Sequence, residues 1–346
     1  MSAERGSRRS GPKTIAEIAE ATGFSRTTVR FVVSGQAERH RIKAETRAHI
    51  EAFIAAHGLV VDQTARSLRT RRSEAVGLVV PDLANPFFAR LTAELEERCR
   101  STGRVLLTAS SHEDPEREAQ AVAGLLGRGV DGLVVAPCRP PATFEGLRRS
   151  RRTALVMVDR AHARSPWPTV VSDNEAAARR ITTRLIELSA GDVDLLCACP
   201  ELPSIADRLA GFRAAARAAG LSEVEERIHV AARDEPPAGA ASMAEILTRG
   251  RRPKALMCTS LLMLEGALSE LVSHFGRLPE DLVVGTFDHH PLLDALPVHV
   301  LSLRQDERGL AERAFACLLA EMEGAPREAV RHVVPGRLVE RGARPS

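Results

Sequence analysis

Nine apolar runs of strand length, spread along the chain from residue 75 onward, constrain its fold more than any other feature. They read AVGLVV, RVLLTA, DGLVVAP, ALVMVD, DVDLLCA, RIHVAA, KALMCTS, DLVVGTF and VLSLR, and amphipathic stretches of helical length separate them. Strands that alternate with helices form parallel sheets covered by helices. Because about ten strands in one sheet would be unusual, we expect an α/β body of two doubly wound parallel-sheet subdomains with a cleft between them.

Ligands of such sheets bind at the carboxyl ends of the strands. The candidate ligand residues are therefore the side chains that follow strands, namely Asn85, Phe87, Asp159, Arg160, Ser260 and Asp288. A helix cap is the alternative interpretation of a lone aspartate such as Asp159 or Asp288. His289 and His290 are adjacent in a loop, so they point in different directions, and no acid-histidine constellation surrounds them; we therefore predict surface residues there and no metal site. No cofactor is predicted.

Composition and apolar patterning argue against a membrane protein. No apolar run approaches the roughly 18 to 20 residues of a membrane span. The basic start of the chain is followed by an amphipathic stretch with Glu17 and Glu20 instead of an apolar signal segment, so we expect a cytoplasmic protein. The six cysteines are scattered, and four lie in apolar runs, which favours reduced, buried thiols.

Positive charge is concentrated at the beginning of the chain. Residues 1–72 contain 14 Lys and Arg against 7 Asp and Glu, whereas the remaining chain contains 34 against 38. A separate basic domain is typical of a nucleic-acid-binding protein, because neutralising phosphates supplies most of the non-specific affinity. A solvated basic face is the alternative interpretation.

Two short helices are predicted in this basic segment. Thr14 and Glu17 form a capping box for the first, which ends at Gly23. Ser25 caps the second, whose buried stripe is Val29, Val32 and Val33. The opposite face then carries Arg26, Thr27, Arg30 and Phe31, as in a helix-turn-helix whose second helix lies in the major groove. Short amphipathic helices joined at glycine also occur in ordinary cores. A third helix is predicted over residues 44–54.

The stretches TIAEIAEATGFSRTTVRFVVSG, AETR, ARSLRTRRSEAVGLVVPDLANPFF and VVGTFD resemble the LacI/GalR family of bacterial transcription regulators, over essentially the whole chain. Within it, AERHRI, CPELPSIADRLAGFRAA, ALMCTSLLMLEGAL and LPEDLVVGTFDHHPLLDAL resemble most closely the fructose-repressor branch. The resemblance implies an all-α helix-turn-helix head, a hinge helix and a periplasmic-binding-protein-like body. It also implies double-stranded operator DNA as a partner and a homodimer or homotetramer.

The domain boundaries follow from this resemblance. We expect the head at 1–63, the hinge helix and linker at 64–73, and the body at 74–346. The body divides into an N-subdomain at about 74–172 and 304–324 and a C-subdomain at about 173–303 and 325–346. The chain then crosses between subdomains near 171–174, 302–306 and 324–328.

The resemblance also assigns roles to individual residues. Arg208, in an Arg-x-x-Gly-Phe motif with Gly211 and Phe212, corresponds to an arginine that holds the sugar ligand in the family, and a guanidinium suits hydroxyls or a phosphate. Fructose 1-phosphate is the implied effector, with Asp159 suited to the sugar hydroxyls. An unphosphorylated sugar or another small metabolite is the alternative.

DNA contacts are predicted for residues of the head and the hinge: Thr14, Ser25, Arg26, Thr27, Thr28, Arg30, Phe31, Leu68 and Arg69. Arg26 is expected to read a guanine, and Phe31 to pack against a thymine methyl group or a sugar edge. Leu68 corresponds to the leucine that related repressors wedge into the minor groove.

Three positions depart from the family pattern. Val61-Asp62 stands where Pro-Asn is usual before the hinge, Ser34 replaces the usual Asn before Gly35, and Asp288-His289-His290 replaces a loop that commonly reads Gly-Asp-Asn.

Two other classes of protein are less consistent with the sequence. A sugar-binding transport protein carries an export signal and no basic helix-turn-helix, and this chain shows the reverse pattern. An enzyme with an appended DNA-binding module, such as a sugar kinase, is disfavoured because no GxxxxGK[ST] loop, no Gly-x-Gly-x-x-Gly after the first strand and no Ser/His/Asp order with elbow glycines is visible. We therefore predict a non-enzymatic, sequence-specific repressor of sugar-metabolism genes.

Overall fold

The computed structural model describes residues 13–60, 72–138, 144, 153–162, 165–326 and 329–342. The described residues form two compact units, divided between Ser73 and Glu74. The predicted hinge segment 65–70, with Leu68 and Arg69, lies outside the described residues. Among the residues described, no helix has the length and apolar character to span a membrane.

The first unit is a small helical domain. Its elements are β1 (Lys13–Thr14), α1 (Ile15–Thr22), α2 (Arg26–Val33), α3 (Ala44–His57) and β2 (Leu59–Val60), and β1 pairs with β2 in parallel. One side chain from each helix, Ile18, Val29 and Ile50, is fully buried at the centre of its core. The apolar sides of the three helices therefore pack together in one core. Helix α3 ends at His57, three residues beyond the predicted end.

The second unit contains two six-stranded sheets. The first sheet is entirely parallel, with the order β13-β7-β6-β5-β3-β4. Its strands are β3 (Ala75–Val80), β4 (Val105–Ser110), β5 (Gly132–Val135), β6 (Ala154–Val158), β7 (Thr169–Ser172) and β13 (Arg331–Val334). Helices α4 (Pro86–Ser101), α5 (Pro115–Gly127) and α10 (Glu307–Met322) pack against it.

The second sheet has the order β14-β12-β11-β10-β8-β9 and is parallel except for β14. Its strands are β8 (Val193–Ala198), β9 (Ile228–Ala231), β10 (Ala255–Cys258), β11 (Val283–Phe287), β12 (His299–Arg304) and β14 (Arg337–Arg341). The associated helices are α6 (Asn174–Ser189), α7 (Pro203–Ala218), α8 (Pro236–Thr248) and α9 (Leu261–Phe275), and short 3₁₀ turns cover Val224–Arg227 and Pro291–Ala295. The predicted fold class, a helical head with a doubly wound α/β body, is confirmed.

The chain passes between the sheets three times. It leaves the first sheet after Ser172, returns between Arg304 and Glu307, and passes again between Val334 and Arg337. The expected third crossing near 324–328 is wrong, because residues 331–334 pair with β7 of the first sheet. The assignment of 325–346 to the C-subdomain therefore fails for residues 331–334 and agrees with the structure for 337–341, which pair with β12. The segment RHVVPGRLV contains no long apolar run, so its hydrophobic pattern does not indicate which sheet each half joins.

Candidate functional site

Side-chain caps fix the beginning of both helices of the helix-turn-helix. The hydroxyl of Thr14 accepts a hydrogen bond from the Glu17 N–H at 3.3 Å, while the Glu17 carboxylate accepts one from the Thr14 N–H at 2.8 Å. Helix α1 ends at Gly23, whose φ of 72° favours glycine. The Ser25 hydroxyl accepts a hydrogen bond from the Thr28 N–H at 3.1 Å. The capping pattern predicted from the sequence is therefore present, and it leaves α2 only eight residues long.

Helix α2 presents a polar, basic face to solvent. Val29 and Val32 are buried, whereas Arg26, Thr27 and Arg30 are exposed. Arg26 makes no hydrogen bond or ion pair with any residue in the described part of the chain. A guanidinium without an intramolecular partner is available to an external acceptor such as a base edge or a phosphate.

Phe31 and Thr28 are less free than the sequence suggests. The Phe31 ring stacks on the His40 ring with a centroid distance of 3.5 Å and an interplanar angle of 9°. The Thr28 hydroxyl lies 2.9 Å from the Ser25 hydroxyl. The guanidinium carbon of Arg30 also lies over the Phe31 ring, 5.6 Å from its centroid. A DNA contact by Thr28 or Phe31 stays a prediction.

The second unit contains a cavity of about 720 Å³ that is lined from both sheets. All seven residues predicted to contact an effector lie in its wall: Asn85, Phe87, Asp159, Arg160, Arg208, Ser260 and Asp288. Six of them follow the carboxyl ends of strands, where loops can converge, and Arg208 comes from the first turns of α7. The cavity is large enough for a small-molecule ligand.

Backbone strain is concentrated in this wall. Nine non-glycine residues among those described have a positive φ, and five of them line the cavity: His112, Glu113, Asp159, Cys199 and Asp288. Such conformations cost free energy and persist where the surrounding structure imposes them, commonly at ligand sites. At Asp159 and Asp288 the left-handed backbone, with φ of 65° and 68°, orients a carboxylate at the end of a strand.

Neither of these two aspartates caps a helix. The N-cap residues nearest to them in the chain are Asp173 and His290. The helix-cap alternative is therefore excluded for Asp159 and Asp288, whereas Asn85 and Ser260 cap α4 and α9 through bonds from the N–H groups of Phe87 and Met263.

Arg208 is buried and held on three sides. Its Nε donates to Asn174 Oδ1 at 2.8 Å, and its Nη1 donates to the carbonyl oxygen of Thr259 at 2.6 Å. The guanidinium carbon lies 4.0 Å from the centroid of the Phe287 ring. Its Nη2 has no hydrogen-bond partner among the described residues, so this nitrogen is the donor that a ligand in the cavity can use.

Arg160 is engaged by Glu113, an acid that is not among the predicted site residues. Its Nη1 and Nη2 donate to the two carboxylate oxygens of Glu113 at 2.8 and 2.5 Å, and Nη1 also reaches the Pro137 carbonyl oxygen at 3.3 Å. Burial lowers the pKa of Arg160, but the Glu113 hydrogen bonds and charge outweigh it, so the net shift is upward. Arg160 therefore stays charged and is paired within the protein.

Buried carboxylates dominate the remaining polar wall. Asp159 is only 5% exposed and accepts no hydrogen bond from the described residues; its nearest cation is Arg160 Nε at 3.7 Å. Burial raises its pKa, and the charges of Arg160 and Arg208 partly oppose this. Asp234 accepts a hydrogen bond from the Ser260 hydroxyl, and burial raises its pKa as well. Asp234 follows β9, so the strand-end rule would have found it.

Residues 73–301 match the family model described as periplasmic binding proteins and sugar binding domain of LacI family. The chain belongs to the LacI family. It is 32% identical over 327 residues to the sucrose operon repressor of Klebsiella pneumoniae, covering 94% of this chain and 97% of that protein. It is 33% identical over 308 residues to the catabolite repressor/activator of Salmonella typhimurium, covering 89% and 91%.

The chain is also similar to a solved structure of a transcriptional regulator. The crystal structure of the Cra transcriptional dual regulator from Pseudomonas putida, in complex with fructose 1-phosphate, aligns with a TM-score of 0.70 and 30% identity. The alignment covers 78% of this chain and 98% of that one. The periplasmic-binding-protein-like body predicted for this LacI-family regulator is thereby confirmed.

A chain of hydrogen bonds joins the cavity of this LacI-family protein to two of its crossings. Asp288 Oδ1 accepts from Gln305 Nε2 at 2.5 Å, and Gln305 Oε1 accepts from the Ser172 hydroxyl at 2.5 Å. Ser172 ends β7 at the first crossing, and Gln305 follows β12 at the second. Gln305 is not among the predicted ligand residues, although this residue also follows a strand.

The predicted surface position of His289 is wrong. This side chain is buried, and its Nδ1 lies 2.9 Å from the Ser302 hydroxyl. Its carbonyl oxygen accepts a hydrogen bond from Arg90 at 2.9 Å. The backbone N–H of His289 donates a hydrogen bond to the carbonyl oxygen of Leu303 in β12. This backbone pairing directs the imidazole ring of His289 toward the interior. Within the described ranges, no cluster of three or more potential metal ligands occurs.

Proposed function

We propose that this protein is a sequence-specific DNA-binding repressor of sugar-metabolism genes, released from its operator when a small hydroxylated effector binds in the body cavity. The observation that carries this proposal is the convergence of seven predicted effector residues in one cavity of a LacI-family chain that also has a basic helix-turn-helix. Two of the related proteins are named sucrose operon repressor and catabolite repressor/activator.

Two effectors are candidates. Fructose 1-phosphate is supported by the resemblance to fructose repressors and by its presence in the similar Cra structure. An unphosphorylated sugar is supported by the acidic wall around Asp159 and Asp234.

We also propose a homodimer or homotetramer as the DNA-binding form. A single helix-turn-helix buries little DNA surface, and a two-fold dimer reads two half-sites about one helical turn apart. The domain division at 1–63, 64–73 and 74–346 belongs to the same proposal.

Selection from a random pool of duplex DNA by the full chain tests the proposed function. We expect enrichment of an inverted repeat, and release of the selected duplex when the effector is added. Failure to enrich any sequence above the non-specific background would contradict the proposal that this protein is a sequence-specific DNA-binding regulator.

We expect Arg26→Ala to relax specificity at one base pair of each half-site. Its guanidinium is exposed and unpaired among the described residues, so it can donate to O6 and N7 of a guanine, an interaction worth about 1 to 3 kcal/mol of discrimination. Binding to a set of single-base operator variants measures the effect. Arg39→Ala, which removes an equal charge outside α2, is the matched control. An equal loss of affinity for all sequences would make Arg26 a phosphate contact.

We expect Leu68→Ala to reduce operator bending and specific affinity together. In the proposed hinge, this leucine enters the minor groove and unstacks the central step. Removing the leucine side chain from this apolar contact is expected to weaken the free energy of operator binding by about 2 kcal/mol. Fluorescence energy transfer between labelled duplex ends reports bending, and Leu68→Met preserves the volume as a control. If bending and affinity survive Leu68→Ala, the wedge is absent, and Val61-Asp62 is the next segment to examine.

A further inference from the structure

The geometry of the cavity points to an effector that is rich in hydroxyl groups and carries no phosphate or other anionic group. We infer this from the charge of the wall, from the partners of its arginines and from an unsatisfied buried carboxylate. The inference rests on the proposed function, since it takes the cavity to be the effector site, and it selects between the two candidate effectors.

Acidic side chains outnumber basic ones in the described wall of the cavity. Three arginines line it, Arg160, Arg208 and Arg233. Seven carboxylates face the same space: Asp82, Glu113, Asp159, Glu201, Asp234, Glu235 and Asp288. A phosphate monoester carries a charge of about −1.5 to −2 at pH 7. Placing it here adds repulsion from several carboxylates at short range, where screening by water is weaker than in bulk.

The two buried arginines that could offset this charge, Arg160 and Arg208, are already engaged by protein groups. Both terminal nitrogens of Arg160 bind Glu113, which neutralises the guanidinium before any ligand arrives. Arg208 has two of its nitrogens committed to Asn174 and to the Thr259 carbonyl oxygen, so one nitrogen remains. Arg233 meets Glu235 only through its Nε, at 3.4 Å, and it is an exposed side chain whose charge water screens. Arg160 therefore cannot give a phosphate the two-pronged contact that arginine normally provides, and Arg208 offers a single unpartnered nitrogen among the described residues.

Helix N-termini are the other anion-binding elements of such folds, because their first N–H groups are free. Four of the helices that start at this cavity begin with proline, which has no N–H: Pro86, Pro115, Pro203 and Pro236. Asn85 and Ser260 cap two N-termini with their own oxygens. Helices α7 and α8 lack side-chain caps, but Glu201 and Glu235 add carboxylates to the wall just before them.

The available polar atoms instead match sugar hydroxyls. Asp159 is 5% exposed and accepts no hydrogen bond in the described chain, so its oxygens need donors from a ligand. Asp234 and Asp288 each have one oxygen bound, to Ser260 and Gln305, and each keeps a second. Hydroxyl groups donate to these carboxylates, and they also accept from the free Nη2 of Arg208. Burial raises the pKa of Asp159 and Asp234, in agreement with carboxylates that lack a strong cationic partner.

Calorimetric titration of the full chain with matched pairs tests the inference. The pairs are fructose and fructose 1-phosphate, glucose and glucose 6-phosphate, and sucrose and sucrose 6-phosphate. We expect at least one free sugar to bind, with its phosphate ester at least about tenfold weaker, which corresponds to one unfavourable charge contact in a partly screened site. A phosphate ester that binds as tightly as its parent, or a panel in which no free sugar binds, overturns the inference.

A second variant tests the neutralised arginine directly. Glu113→Gln removes the charge that occupies Arg160, and we expect it to raise the affinity for inorganic phosphate at least about tenfold over the unmodified chain. Glu116→Gln, which changes an exposed acid outside the cavity, is the matched control, and thermal melting verifies that both variants fold. Equal phosphate binding by the Glu113→Gln variant and the unmodified chain overturns the inference. A failure of the proposed function is distinguishable from a failure of this inference. It would appear in the DNA selection, where no sequence would be enriched, whatever the calorimetric titrations show.

Discussion

Gly211→Ala is expected to lower the free energy of unfolding by about 3 kcal/mol and to weaken effector binding at the same time. A methyl group at this position would lie 2.3 Å from the carbonyl oxygen of Glu175 and 2.9 Å from the backbone nitrogen of Arg179. These are backbone atoms of α6, which cannot turn aside as a side chain can. Helices α6 and α7 must therefore separate, and Arg208, three residues before Gly211, moves away from Asn174.

Urea unfolding monitored by circular dichroism measures the stability loss, and titration with the bound sugar measures the change at the site. Gly127→Ala is the matched control, because a methyl group there meets no atom within 4 Å. We expect that substitution to leave stability unchanged or to raise it by up to about 1 kcal/mol. An unchanged midpoint for Gly211→Ala would mean that the close contact between α6 and α7 does not exist in solution.

Arg208→Ala is expected to abolish the response to the effector while operator affinity changes less than about threefold. The substitution removes the free Nη2 donor from the cavity, and a charge-assisted hydrogen bond contributes about 1.5 to 3 kcal/mol. Losing this hydrogen bond together with the positive charge of Arg208 is expected to reduce effector affinity by about a hundredfold. Operator affinity is preserved because the ligand contact acts only on the ligand-bound state. Release of labelled operator as a function of effector concentration measures this.

The same substitution leaves Asn174 Oδ1 and the Thr259 carbonyl oxygen without their partner, so stability falls by about 1 to 3 kcal/mol for each group left unsatisfied. Arg208→Lys keeps the positive charge but loses the planar guanidinium with its several N–H donors. We expect this variant to retain only part of the response to the effector. Asp159→Ala should act in the same direction more weakly, and Arg179→Ala, an exposed arginine on α6, should have no effect. A normal response from Arg208→Ala would place the effector elsewhere.

Much of the fold could be predicted because its signals are local. The capping box of Thr14 and Glu17 and the cap at Ser25 depend on side chains three residues apart. The strand-end rule identified residues of both sheets, such as Asn85 after β3 and Asp288 after β11, because the carboxyl ends of the parallel strands in each sheet share one edge. The two edges line one cavity. The last crossing could not be predicted, because Arg331–Val334 and Arg337–Arg341 have equally weak apolar patterns and pair with different sheets.

The sequence by itself indicated that Arg160 and Arg208 stand beside a ligand cleft, and its resemblance to fructose repressors implied a phosphorylated effector. Only the tertiary structure decided what those arginines bind. Glu113 is 47 residues from Arg160, and Thr259 is 51 residues from Arg208, yet both lie within hydrogen-bond distance. Local periodicity follows from backbone geometry over a few residues, whereas the charge of a site depends on atoms that only the folded chain brings together. The same physics places His289 inside the protein, where its sequence neighbours give no sign of burial.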